Sequence, residues 1–155
     1  MNFERFKFLQ RIDVSDKQTQ QLKSLIEIPN HSPILDEHFP GHPIVPGVLL
    51  IEMMAQSAGN LVLYKSDFSH MAILAAVSHS KFVNYVVPGD RLTCEVELLS
   101  FSCGFALCEA QILKDNSLVA CAELRMKVVD FFNEQVKNAV VSNFKAIANT
   151  LQPAL

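Results

Sequence analysis

The stretch from His38 to Gln56, His-Phe-Pro-Gly-His-Pro-Ile-Val-Pro-Gly-Val-Leu-Leu-Ile-Glu-Met-Met-Ala-Gln, constrains this chain more than any other. Proline fixes the backbone at positions 40, 43 and 46, and glycine opens unusual dihedrals at 41 and 47. A loop this stiff loses little further entropy on ordering, so it can hold His38 still. Pro46 suits the first turn of a helix, where its missing N–H is not needed. The helix is predicted to run to about Tyr64 and to end near Lys65-Ser66-Asp67. It is apolar nearly all round, so it should be enclosed on most sides. Glu52 lies among Leu49, Leu50, Ile51, Met53 and Met54, a setting that is costly unless the carboxylate is paired, protonated or used. A histidine on a rigid loop and a desolvated glutamate are the two parts of a proton-transfer site.

Elsewhere the pattern is that of strands. Residues 6–13 read as a short strand. Residues 16–28 are polar and ambiguous, with room for a turn into a second strand. Residues 72–77 and 81–87 are strand-like, and Pro88-Gly89-Asp90 is a turn. From Arg91 to Phe101 the chain alternates, with Leu92, Cys94, Val96 and Leu98 on one face. A turn at Ser102-Cys103-Gly104 leads to a strand over 105–113 and a hairpin turn at 114–117. In the next strand Leu118, Ala120, Ala122, Leu124, Met126 and Val128 share a face, opposite Glu123, Arg125 and Lys127. Period two of this kind marks half-buried antiparallel strands. One enclosed helix followed by a meander predicts an α+β domain with a sheet wrapped around a helix, over residues 1–129. In residues 130–155, Phe132, Val136, Val140, Phe144, Ile147 and Leu151 recur at helical spacing, which predicts an amphipathic extension packed on the domain or on a second subunit.

At 155 residues, half of them hydrophobic and 19% charged, the chain can bury a real core and is not expected to be disordered. A net charge of −3 and the lack of a basic block give no case for nucleic acid. The four cysteines, Cys94, Cys103, Cys108 and Cys121, form no CxxC pair and read as small buried hydrophobes in a reducing compartment. The first residues are charged and hold no uninterrupted apolar core, so no signal peptide is expected. Residues 45–64 are strongly hydrophobic, but their Pro, Gly, Glu, Gln, Ser and Asn suit a buried core helix better than a membrane span. His42 lies four residues from His38, but the prolines and glycine between them rule against a helical metal pair, and no ligand cluster stands out. His31, His70 and His79 carry no motif.

The run around His38 resembles the active-site segment of the hot-dog-fold 3-hydroxyacyl-acyl carrier protein dehydratases of the FabZ type, which are related to the isomerising FabA branch. That segment reads His-Phe-Pro-Gly-x-Pro, then Pro-Gly-Val, then a helix with the catalytic acid five residues after the second glycine. Here these are His38, Gly47 and Glu52. Lys81-Phe82 and Val87-Pro88-Gly89-Asp90 resemble a second family segment, and residues 8–12 loosely resemble its first strand. Two departures stand out. The family's N-terminal His-x-x-Pro-Phe stretch is replaced by Glu4-Arg5-Phe6-Lys7-Phe8, and Val83-Asn84-Tyr85 follow Phe82 where a basic residue and a proline are usual.

The resemblance implies dehydration of a (3R)-hydroxyacyl thioester to the trans-2-enoyl thioester in the cytoplasm. The substrate would be carried on the phosphopantetheine of an acyl carrier protein, with no metal or redox cofactor. His38 would take the α-proton, a task that suits an imidazole of ordinary pKa about 6.5. Glu52 would serve the departing hydroxyl, with Gln56, one turn on, orienting it. Gly47 and Val48 open the helix, and their N–H groups could polarise the thioester oxygen, although plain helix initiation needs the same geometry. The family also implies a homodimer or trimer of dimers in which Glu52 and His38 come from different subunits. An acidic carrier would call for a basic patch, for which Lys65, Lys81, Arg91, Arg125 and Lys127 are the candidates. Met53, Met54 and Phe82 suit either an acyl tunnel or core packing. A hot-dog thioesterase, a dehydratase that also isomerises, and a non-catalytic acyl-binding subunit remain as alternatives.

Overall fold

A computed structural model describes residues 3–14, 18 and 20–150. Among the described residues, seven strands form one sheet around a long helix. They are β1 (Arg11–Val14), β2 (Gln21–Glu27), β3 (Met71–Phe82), β4 (Arg91–Ser102), β5 (Phe105–Lys114), β6 (Ser117–Val129) and β7 (Ala148–Thr150), in the spatial order β3-β6-β5-β4-β2-β1-β7. All pairs are antiparallel except β1 with β7, which run parallel. The helices are α1 (Pro33–Asp36), α2 (Gly47–Lys65) and α3 (Glu134–Ile147), with a short 3-10 turn at Phe3–Arg5. This is the expected hot-dog arrangement.

The alternation predicted for the meander is the alternation observed. Leu92, Cys94, Val96 and Leu98 point inward, facing Ala106, Cys108, Ala110 and Ile112 of β5 and Ala120, Ala122, Leu124 and Met126 of β6. Against that face lie Leu50, Met53, Met54, Leu61 and Val62 of α2. Each fully buried aliphatic side chain of this size contributes roughly 1.5–3 kcal/mol relative to exposure. One polar contact sets the helix on the sheet. Ser57 donates to the Met53 carbonyl at 3.0 Å, which uses its only hydrogen, so Ser24 of β2 donates to Ser57 across 2.9 Å; both residues are buried.

Three expectations need correction. The first strand starts at Arg11, not at residue 6. Phe8 and Leu9 are both buried, which no half-buried strand allows, and Phe6 takes a positive φ of 53° that turns the chain. Residues 3–9 instead wrap toward α2. The segments at 72–77 and 81–87 are one bent strand up to Phe82, with register shifts between Leu74 and Ala76 and between Ser78 and Lys81. Beyond it, Val83 and Asn84 both bond the Val119 carbonyl, and residues 83–87 are not strand. Residues 30–46 also contain a helical turn, α1. Residues 15–17 and 19, part of the stretch read as ambiguous, and Leu151 of the apolar stripe lie outside the described residues.

α2 is long and apolar enough to cross a membrane by composition, but more than half of it is buried in this fold. The four cysteines are free. Burial pushes the Cys94 and Cys108 thiols up to about 12, whereas Cys103 sits exposed at the tip of the β4–β5 hairpin. At mildly alkaline pH, an alkylating reagent is expected to label Cys103 first, and Cys94 and Cys108 only after unfolding. Peptide mass mapping that finds all of them labelled at one rate would contradict this packing.

Candidate active site

The loop that carries His38 is built by local hydrogen bonds. Ser32 caps α1, accepting from the Ile34 N–H at 3.3 Å and donating to Glu4 at 2.9 Å. His38 then donates its N–H to Leu35, and Ile44 returns an N–H to the His38 carbonyl at 2.7 Å. Between them Phe39 and His42 exchange backbone bonds, with Gly41 at a φ of 76° closing the turn. The His38 ring is half-buried and stacks on Phe39 at 4.4 Å. Its Nδ1 lies 3.0 Å from the Ile44 carbonyl. A carbonyl can only accept, so Nδ1 carries the hydrogen, and Nε2 of the neutral ring keeps its lone pair for a proton.

The second motif supports the first. Val45 donates to Val86 at 2.8 Å, and Asp90 holds the turn after it by accepting from the Val87 N–H and pairing with Lys114 at 2.7 Å. Gly89 is required there. Its φ is 84°, and a Cβ would come 2.9 Å from the Asn30 side-chain oxygen. Gly47 is constrained differently, since a Cβ at that position would meet the Phe82 ring at 3.1 Å and the half-exposed ring would have to give by a few tenths of an ångström. Pro46 occupies the N-cap of α2, and no side chain caps the helix. The Gly47 and Val48 N–H groups therefore open a helix start whose Val48 is 71% exposed.

Glu52 and Gln56 are brought together. Gln56 Nε2 donates to Glu52 Oε1 at 2.9 Å and to the Phe6 carbonyl at 2.7 Å, so both amide hydrogens are committed. Phe6 could not have been found from motif spacing, because it reaches Gln56 across fifty positions through its backbone. Glu52 is half-buried rather than enclosed. The α2 face bearing Glu52, Gln56, Gly59 and Asn60 opens on a cleft of about 850 Å³, which residues 71–74 of β3 also line. Phe8, Leu74, Met126 and Val140 are among its apolar walls.

Within one chain His38 makes no hydrogen bond to Glu52 and does not line this cleft. His38 and the Glu52–Gln56 pair are thus held by separate local hydrogen bonds. Met53 and Met54 are fully buried in the core and do not line the cleft, and Phe82 is half-exposed against Gly47. His42 is exposed with its ring 6.4 Å from Tyr85, and among the described residues no His, Cys, Asp or Glu cluster suits a metal. His31 and His79 are exposed, and His70 pairs with Asp130 at 3.3 Å. A second concavity of about 800 Å³ lies on the outer face of the sheet, among Lys23, Glu95, Glu97, Glu109 and Glu123, and takes in Lys81 of the second motif but neither His38 nor Glu52. The five candidate basic residues do not form one patch. Arg125 and Lys127 share the outer face of β6, Glu123 separates them from Lys81, Arg91 pairs with Glu27 at 2.9 Å, and Lys65 ends α2.

Comparison with known proteins identifies the family and the fold. A family model described as ApeI-like, ApeI dehydratase, matches residues 14–115. The chain is 35% identical over 117 residues to the 3-hydroxyacyl-[acyl-carrier-protein] dehydratase FabZ of Aliarcobacter butzleri, covering 72% of this chain and 80% of that protein. Among solved structures, a thioesterase-like protein, yhdA of Lactococcus lactis, superposes with a TM-score of 0.67 at 13% identity, over 84% of this chain and all of that one. The dehydratase heterocomplex ApeI:P from Xenorhabdus doucetiae gives 0.57 at 16% identity, over 70% and 88%. At such identities the structural likeness speaks to the fold alone.

Proposed function

This chain belongs to the ApeI-like dehydratase family, and on that premise we propose that it eliminates water from a (3R)-3-hydroxyacyl thioester, carried on the phosphopantetheine of an acyl carrier protein, to give the trans-2-enoyl thioester. The observation that carries the reading is the pair of oriented groups. His38 is fixed through Nδ1 with Nε2 left to accept, and Glu52, which lines the cleft, is fixed through one oxygen. His38 takes the proton α to the thioester carbonyl. Glu52 delivers a proton to the departing hydroxyl, which leaves as water. The Gly47 and Val48 N–H groups stabilise the charge that builds on the thioester oxygen. No step changes net oxidation state, so the reaction calls for no redox cofactor.

Because the two groups stand apart in one chain, a complete site takes His38 from a partner subunit. β3 supports such pairing. It ends the sheet, and residues 75–82 along it are exposed, Val77 and Phe82 among them. We read the partner as a second copy, in a homodimer or a trimer of dimers. A second reading takes a different chain as partner, as in the heterocomplex from Xenorhabdus doucetiae; an active dimer of this chain alone would exclude it. We place the reaction in the cytoplasm, which suits four free thiols and a long apolar helix committed to the core.

The test is mass spectrometry of a 3-hydroxyacyl-carrier protein after incubation with the purified chain. Loss of one water is expected. Release of the free carrier thiol would make the chain a thioesterase, and an unchanged substrate at several chain lengths would make it an acyl-binding subunit.

A further inference from the structure

The cleft beside Glu52 has a wall that lies outside the matched family region, which stops at residue 115. The cleft follows α2 from Glu52 past Gln56 and Gly59 to Leu63, a span of about 16 Å at the helical rise. α3 closes one side of it through Val140, Asn143 and Ile147. This helix is fastened at two places. Phe144 is buried, stacked on Tyr64 at 5.9 Å and edge-on to Phe68 at 5.3 Å, and β7 pairs with β1 immediately after it. Tyr64 and Phe68 lie at and beyond the end of α2 remote from Glu52, so α3 is anchored at the far end of the cleft. Val140 and Ile147 pack against the core from there.

We propose that α3 is the specificity wall of this site, with Val140 and Ile147 bounding the end of the acyl chain and so setting the length accepted. The proposal rests on the reading of Glu52 as the reacting end. An apolar chain that enters past Glu52 runs along the α2 face and meets branched aliphatic side chains at α3, where a shorter chain leaves the space unfilled.

The experiment measures binding of hexanoyl- and tetradecanoyl-pantetheine thioethers, which cannot react, beside elimination from the matching 3-hydroxyacyl-carrier substrates. Val140→Phe and Ile147→Phe are expected to lower the tetradecanoyl-to-hexanoyl affinity ratio roughly tenfold. Val140→Ala, which creates no clash and covers a collapse of the larger variants, is expected to raise it. Ser142→Phe, on the exposed side of α3, should leave it unchanged. A ratio indifferent to all these substitutions, or no binding of either thioether by the wild type, overturns the proposal. Length-dependent binding that follows Val140 without any loss of water upholds the wall and removes the dehydratase. Elimination whose length profile ignores Val140 and Ile147 upholds the dehydratase and removes the wall.

Discussion

His38→Ala and Glu52→Gln are each expected to lower the rate of water elimination by about 10²- to 10⁴-fold, the usual contribution of a positioned acid or base. Both variants should keep the fold. His38 touches the rest of the chain chiefly through its own loop, and glutamine at 52 can still meet the Gln56 amide. The sharper result comes from mixing them. If the site takes Glu52 from one subunit and His38 from the other, a mixed dimer has one site with both groups and one with neither. Random exchange makes half the dimers mixed, so about a quarter of wild-type turnover should return. If both groups acted within one chain, no mixed dimer would contain an intact site. Turnover that stays at the level of the single variants, while native mass spectrometry shows mixed dimers, would sink the shared-site reading. Recovery would also show that this chain pairs with itself.

The parts of this arrangement legible in the sequence are those set by local rules. Alternation placed Leu92, Cys94, Val96 and Leu98 inside because a strand has only two faces, and the observed burial follows them without exception. The prolines and glycines around His38 gave a loop, and the spacing from Gly47 put Glu52 and Gln56 one turn apart, where they are bonded. Long-range packing decided the rest. Phe8 and Leu9 look like any two apolar residues until α2 is present to bury both. Glu52 looked enclosed because its neighbours in sequence are apolar, yet the sheet covers only part of the helix and leaves the Glu52 face to the cleft. The stripe of Val140, Phe144 and Ile147 announced an amphipathic helix without saying what it would cover. Val140 and Ile147 reach the cleft, while Phe144 goes to Tyr64 and Phe68.

Phe144→Ala is expected to release α3. A buried phenylalanine cut to alanine costs about 3–5 kcal/mol where its surroundings cannot collapse, and Phe144 is 2% exposed between two aromatic rings. The other contacts are smaller: Val140 and Ile147 are only partly buried against the core, and β7 pairs with β1 over three residues. Phe144 is its one buried residue, and the Asn133 cap, accepting from Val136 at 2.9 Å, is worth about 1 kcal/mol. A helix of fourteen residues is marginal on its own in water. The loss should therefore appear as local opening of α3 and the β7 pairing that follows it, while β4, β5 and β6 retain their ladder. Amide exchange across residues 134–150 should rise by about a hundredfold or more, the kinetic counterpart of about 3 kcal/mol. Exchange in the meander should stay near its wild-type rate. If α3 keeps its protection in this variant, Phe144 is not the anchor, and the wall it holds beside Glu52 must be supported by β7 instead.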